Sequence, residues 1–338
     1  MKDLQTRFKG VIQTSFMKIT HSVLFILLAV TSALAQTTGS SSPEILKIDP
    51  KPSEGFAYPY YLYVPKAMRG PEALKKKQTL LVIPNNSGKL SDDFSVHEED
   101  VKRRIKNNAQ IADKIGVAVL IPVFPRPQTN WQTYTHALDR DVMLTSKKEL
   151  ARFDLQLLAM IDDARARFAA QKIKFDKRVL VLGFSASGMF ANRFTFLHPK
   201  RVKAAVVGSP GGWPIAPVAS FKGKNLRYPI GTNDFKSISG RKIDMKNLRR
   251  VPLFVFMGAE DDNDSVIFRD SYEKEDEELI FALFGKTPVE RWETSKRFYQ
   301  DSQLNAEFRL YPNQKHSVTK EMMEDILAFF SKHAAQKN

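Results

Sequence analysis

The chain has 338 residues, 43% of them hydrophobic and 24 of them phenylalanine, which excludes a disordered chain and suffices for one large core or two modest ones. Its formal charge is +15, but the densest basic runs, 75–77 and 102–104, are short and carry no nucleic-acid-binding motif, so a solvated basic surface is expected rather than a nucleic-acid partner. There is no cysteine, which excludes disulfides, a lipidated cysteine, a thiol nucleophile and a thiolate metal site, and leaves stability to core burial.

The chain-order reading begins at residues 17–35, MKITHSVLFILLAVTSALA. Lys18 supplies a positive start, residues 23–30 an apolar stretch too short to span a membrane, and Ala33-Leu34-Ala35 an A-x-A cleavage site. A secretory signal peptide is expected over residues 1–35, with Met17 as the true start, because the residues before it make an unusually long basic region. An uncleaved N-terminal anchor is the alternative. Cleavage removes four basic residues and one acid, leaves a charge of about +12, and places the protein in the periplasm or outside the cell with no stable membrane insertion. Residues 36–57 then read as a linker, polar over 37–42, and an N-terminal extension.

From 58 to 335 the rhythm is strand then helix, without a repeat or a second domain. Residues 58–64, YPYYLYV, alternate and are aromatic-rich, as an antiparallel edge strand is. Residues 79–83, 117–123, 179–182, 204–207 and 253–257 are continuous apolar runs that suit parallel strands covered on both faces. Helical patterns fall over 97–115, 149–169, 187–197, 266–284, 288–302 and 318–335, and a further strand over 307–311. The fold class expected is α/β: a three-layer, mostly parallel sheet with an antiparallel N-terminal edge and an insertion at about 208–250, where a Gly- and Pro-rich connection exceeds loop length.

In an open α/β sheet, ligands bind at the carboxyl ends of the strands. There, between an apolar strand and a helical pattern, stands Gly183-Phe184-Ser185-Ala186-Ser187. A serine on such a turn is exposed, and small neighbours let strand and helix backbones pass. The stretch resembles the nucleophile elbow of the α/β-hydrolase superfamily, with Ser187 where glycine is usual. The resemblance implies a three-layer α/β-hydrolase fold and a triad in the chain order Ser, Asp or Glu, His. Ser185 is then the nucleophile. By the superfamily's spacing, glycine plus three, Asp261 in Gly258-Ala259-Glu260-Asp261-Asp262-Asn263-Asp264 is the acid, with Asp262 and Asp264 as rivals. His316, on the loop before the last helix, is the base. The acidic cluster lacks the glycine at position six and the distal glutamate of a calcium loop, so no metal is expected. The oxyanion is expected to meet the Ala186 amide and that of Asn85 or Asn86, in the loop after the strand LLVIP.

The remaining histidines have plainer readings. His21 falls in the signal peptide, His333 in the terminal polar tail, His198 at a helix C-terminus and His97 on an exposed helix start. His136 is the rival base, a pocket wall or a satisfied loop histidine, since Trp131, Tyr134 and His136 share a long loop after a parallel strand. Trp213 reads equally as a substrate wall or as a packing anchor. The order of elements and the leader are similar to secreted esterases of the polyhydroxybutyrate-depolymerase and feruloyl-esterase type. That resemblance implies hydrolysis of small-molecule or polymer-linked carboxylic esters through an acyl-enzyme, without a cofactor. A prolyl-peptidase-like serine peptidase and an exported binding protein that does not catalyse are the alternatives.

Overall fold

The computed structural model describes residues 43–69 and 71–334; the leader expected over 1–35 and the polar stretch 37–42 lie outside the described residues. In chain order the elements are β1 (Glu44–Ile48), β2 (Tyr60–Val64), α1 (Pro71–Lys75), β3 (Leu80–Val82), α2 (Phe94–Asn107), α3 (Ala109–Ile115), β4 (Ala118–Pro122), α4 (Arg140–Leu144), α5 (Phe153–Ala170), β5 (Val179–Phe184) and α6 (Ala186–Leu197). They continue with β6 (Val202–Gly208), β7 (Ser220–Phe221), β8 (Lys224–Asn225), α7 (Phe235–Ser239), α8 (Met245–Leu248), β9 (Leu253–Gly258), α9 (Lys274–Phe284), α10 (Pro288–Asp301), β10 (Ala306–Tyr311) and α11 (Lys320–Ala334).

Eight strands form one sheet in the order β1-β2-β4-β3-β5-β6-β9-β10. β2 runs antiparallel to both β1 and β4, and every later pairing is parallel. The continuous apolar runs are explained by burial on both faces. Alternate residues such as Val82, Leu120, Val181 and Val255 point into a core shared with Phe153 and Leu157 of α5 and Phe190 of α6. Their neighbours Leu81, Val119, Leu180 and Phe254 point the other way, against Val101 and Ile105 of α2, Ile111 of α3 and Ile326 and Phe330 of α11. The result is helix, sheet and helix in three layers.

Three boundaries differ from expectation. The sheet's edge is β1, in register Glu44↔Val64 with β2, so part of the stretch read as linker and extension pairs with the aromatic strand. The helix expected over 97–115 is two, because Asn108 turns its side-chain amide back onto Arg104 O at 2.9 Å and caps α2. The segment at 266 first makes a short 3-10 turn, and α9 begins only at Lys274, where Glu273 and Asp276 form a capping box. Between β6 and β9, the hairpin β7–β8 and the helices α7 and α8 belong to a connection that is far from a polar loop. Its Trp213, Leu226, Tyr228 and Ile230 are 1% exposed or less and belong to the main core.

Candidate active site

The parallel order brings the carboxyl ends of β3, β5, β6, β9 and β10 along one rim of the sheet. At the middle of that rim the chain turns from β5 into α6 through Ser185, with φ 60° and ψ −128°. Non-glycine residues rarely hold this conformation, which costs about 1 to 3 kcal/mol and persists only where surroundings enforce it. Here the Ser185 amide donates to Gly208 O at 2.9 Å, and its carbonyl accepts from Met189 N at 3.0 Å. A Cβ on Gly183 would stand 1.9 Å from Ser187 O, so strand and helix cross too closely for any side chain there. Ser187 is more than a tolerated substitute for glycine: its hydroxyl accepts from Phe184 N at 3.0 Å and donates to Phe184 O at 2.8 Å. The Ser185 hydroxyl itself makes no capping bond to α6.

Beyond β6, the loops after β9 and β10 are tied backbone to backbone. Ala259 N donates to Tyr311 O at 2.9 Å and Glu260 N to Gln314 O at 2.8 Å. Gly258 is required at this crossing, where a Cβ would lie 2.2 Å from Gln314 O. The tie delivers Asp261 to His316: the imidazole Nδ1 lies 3.1 and 2.9 Å from the two carboxylate oxygens. Asp261 is 2% exposed. Burial raises its carboxyl pKa, but the hydrogen bonds from His316, Ser209 and the Asn263 amide and the charge of the imidazole together outweigh burial and hold the group below the usual carboxylate range. The rival acids are placed otherwise. Asp264 is paired with the buried Arg291 at 2.5 Å and caps Val266 N, and Asp262 points to solvent. The His316 ring packs on Phe184, the residue before the serine, with centroids 4.8 Å apart. No hydrogen bond closes between Ser185 Oγ and His316 in this structure, a contact that apo enzymes often form only with substrate bound.

The loop after β3 runs beside the elbow because β3 pairs with β5. Asn85 is fully buried, and its side chain grips Phe124 beyond β4 from both sides: Nδ2 donates to Phe124 O at 2.9 Å and Oδ1 accepts from Phe124 N at 3.0 Å. Sequence reasoning valued Asn85 and Asn86 only for their amides and missed this pin, since Asn85 and Phe124 are distant in the chain. His136 supports the same carbonyl, donating from Nε2 at 2.7 Å. Its ring is wholly buried, which pushes its pKa down to about 3 and keeps it neutral, so it is neither a base at the rim nor a pocket wall. His97, expected on the surface, is also fully buried and meets Ser87 Oγ and Ser91 O, each at 3.1 Å. His333, expected in a polar tail, is 7% exposed against the Phe329 ring.

The expected substrate walls divide. Trp213 is 1% exposed, stacks on Phe284 at 4.2 Å and donates Nε1 to Ile230 O at 2.9 Å, so it is the packing anchor of its two readings. Trp131 is 42% exposed, whereas Tyr134 lies under the Arg126 guanidinium at 3.9 Å. Among the described residues, no group of three or more His, Cys, Asp or Glu side chains could hold a metal ion, and no helix is long and apolar enough to cross a membrane.

No family model matches the sequence, and neither does any curated protein. Solved structures do resemble it. Poly(aspartic acid) hydrolase-1 from Sphingomonas sp. KT-1 aligns over 87% of this chain and 99% of its own, with a TM-score of 0.52 and 16% identity. LpqC, a poly(3-hydroxybutyrate) depolymerase from Bordetella parapertussis, aligns over 86% of this chain and 89% of its own, with a TM-score of 0.51 and 15% identity. At such identities the likeness is one of fold alone, and that fold is the α/β hydrolase.

Proposed function

On this α/β-hydrolase fold, we propose an exported serine hydrolase that cleaves carboxylic esters through an acyl-enzyme. One observation carries the reading. A serine held at φ 60° on a strand-to-helix turn directly follows Phe184, whose ring packs at 4.8 Å on an imidazole with its Nδ1 already committed to a buried carboxylate. With Nδ1–H donated to Asp261, the free nitrogen of His316 is the basic one. It takes the proton of Ser185 as Oγ attacks the ester carbonyl carbon. Asp261 keeps the tautomer and balances the imidazolium. The tetrahedral oxyanion is held by the Ala186 amide, at the start of α6 where no intrahelical acceptor competes, and by the amide of Asn85 or Asn86. Collapse expels the alcohol, protonated by His316, and a water activated by the same ring releases the acid from Ser185. Nothing in these steps calls for a cofactor.

Polymer-linked esters join small esters in the proposed substrate class because one protein of similar fold is described as a depolymerase of poly(3-hydroxybutyrate), a polyester. Export, secreted or periplasmic, rests on the sequence pattern of residues 17–35. A fluorophosphonate probe tests the chemistry: an adduct mapped to Ser185 is expected, and folded protein that takes up none would make this a binding protein on a hydrolase fold. A panel of p-nitrophenyl acyl esters, feruloyl esters and peptide amides tests the class. Faster turnover of the amides than of the esters would reassign it as a peptidase.

A further inference from the structure

Helix α6 has two functional-looking ends. Ser185 stands at its N-cap position; 13 residues later, at about 1.5 Å per residue, His198 stands at its C-cap roughly 20 Å away. Beside that second end, near the amino ends of the strands, lies a cavity of about 580 Å³. The volume falls within the range of small-molecule sites. Apolar side chains of Leu158, Phe196 and Ile243 line part of it, and Lys200, Arg241 and Lys242 stand around them. Asp244 is the one carboxylate in the lining, and it lies 3.5 Å from Lys200. Arg201 also borders the space but is committed to Asp162 at 2.7 Å. Lys242 is exposed and forms no ion pair among the described residues.

Arg241 is held by a chain of buried groups. Its Nη2 donates to Leu197 O, the last carbonyl of α6, and to His198 Nδ1 at 2.6 Å. His198 in turn donates Nε2–H to Asp154 at 2.8 Å, and Asp154 takes Arg152 at 2.8 and 2.9 Å. His198 is 4% exposed and Asp154 fully buried, while Arg241 itself remains solvent-exposed. An exposed guanidinium normally samples many rotamers; here a buried Asp–His pair holds Nη2, and Nε and Nη1 carry no hydrogen bond to the described residues. A helix cap alone needs one donor to the Leu197 carbonyl. It does not need the Asp154–His198 support, nor two further cations over an apolar floor.

We propose that this cavity is a second binding site, for an organic carboxylate with an apolar chain: the carboxylate against Arg241, Lys200 and Lys242, the chain against Leu158 and Ile243. A forked guanidinium matches a carboxylate, and the apolar floor rejects small hydrated anions. The site goes beyond the hydrolytic reading and does not depend on it.

Isothermal titration of octanoate into fluorophosphonate-treated protein, with Ser185 closed to the ligand, tests it. Saturable binding is expected, weakened by about tenfold or more in Lys200→Gln/Lys242→Gln and in Arg241→Gln, and lost with octanamide, which keeps the chain but not the charge. The lysine double variant alters only exposed side chains, so a folding failure of Arg241→Gln would not decide the matter. Absence of saturable binding, equal affinity in the double variant, or octanamide binding as tightly as octanoate would each overturn the proposal.

Discussion

Asp261 meets His316 at 2.9 Å and Asp154 meets His198 at 2.8 Å, so the molecule contains two carboxylate–imidazole pairs of nearly equal length. Their surroundings differ. The His316 side chain is 21% exposed and only its Nδ1 is engaged; the His198 side chain is 2% exposed, with Nδ1 occupied by Arg241 at 2.6 Å. The first pair sits on loops at the carboxyl rim, the second between α5 and the end of α6. An Asp–His hydrogen bond therefore does not by itself make a base. The imidazole must also keep its far nitrogen open towards a reacting atom, and where that nitrogen is filled the pair becomes a strut.

The comparison can be broken at either pair. The largest effect is expected from the atom that the rim pair is proposed to serve: Ser185→Ala should lower kcat on a p-nitrophenyl ester roughly a million-fold and abolish the fluorophosphonate adduct. A loss of tenfold or less would remove Ser185 from the chemistry. Next, Asp261→Asn should cost about ten-thousandfold in kcat by leaving the imidazole in the wrong tautomer, whereas the exposed Asp262→Asn should stay near wild type. Equal losses in both variants would undo the assignment of the acid.

Asn85→Ala keeps the backbone amide but frees the loop from Phe124. A kcat loss of about a hundredfold is expected from the displaced amide, together with lower thermal stability. An unchanged kcat would show that the pin does not position that loop.

At the strut, His198→Ala should act mainly on stability, by roughly 1 to 3 kcal/mol in urea unfolding, because Asp154 loses a donor while keeping Arg152. Its pH dependence has a definite sign. Burial lowers the pKa of His198, so the folded state prefers the neutral ring. Burial alone would raise Asp154, but hydrogen bonds from His198 and Arg152 outweigh it and bring its pKa down to about 2. Both contributions are complete above the unfolded-state pKa values and are lost as pH falls. The stability gap between wild type and His198→Ala should therefore narrow below about pH 6.5. A gap that widens on acidification would mean that the ring is protonated in the fold. Smallest of all, Ser187→Gly restores the residue usual at this place and removes the Phe184 clamp, with an expected cost of about 1 kcal/mol and a few-fold in kcat.

The sheet was legible in the sequence because its central strands are buried on both faces and so read as unbroken apolar runs. β1 was not: EILKI alternates, is half exposed, and follows a serine-rich stretch that reads as linker. The elbow could be found because its requirements are local: a close crossing at Gly183 and a serine one step from a strand end. Asp261 could be ranked above its neighbours only through superfamily spacing. The physical reason for that spacing, the backbone tie from Ala259 and Glu260 to Tyr311 and Gln314, joins segments about fifty residues apart. The same distance effect hid the histidines. Asn85, which meets His136, and Asp154, which meets His198, lie 51 and 44 residues away in the chain. Trp213 stayed open between two readings for a related reason, since a tryptophan after a strand end looks the same whether it lines a pocket or stacks on Phe284.

The tie between the two rim loops makes the placement of Asp261 and His316 the product of one seam. β10 is the outermost strand, joined to the sheet only through β9, in register from Ala306↔Leu253 to Tyr311↔Gly258. Fraying of that final ladder would part Asp261 from His316, so the proposed chemistry hangs on a strand with a single neighbour in the sheet.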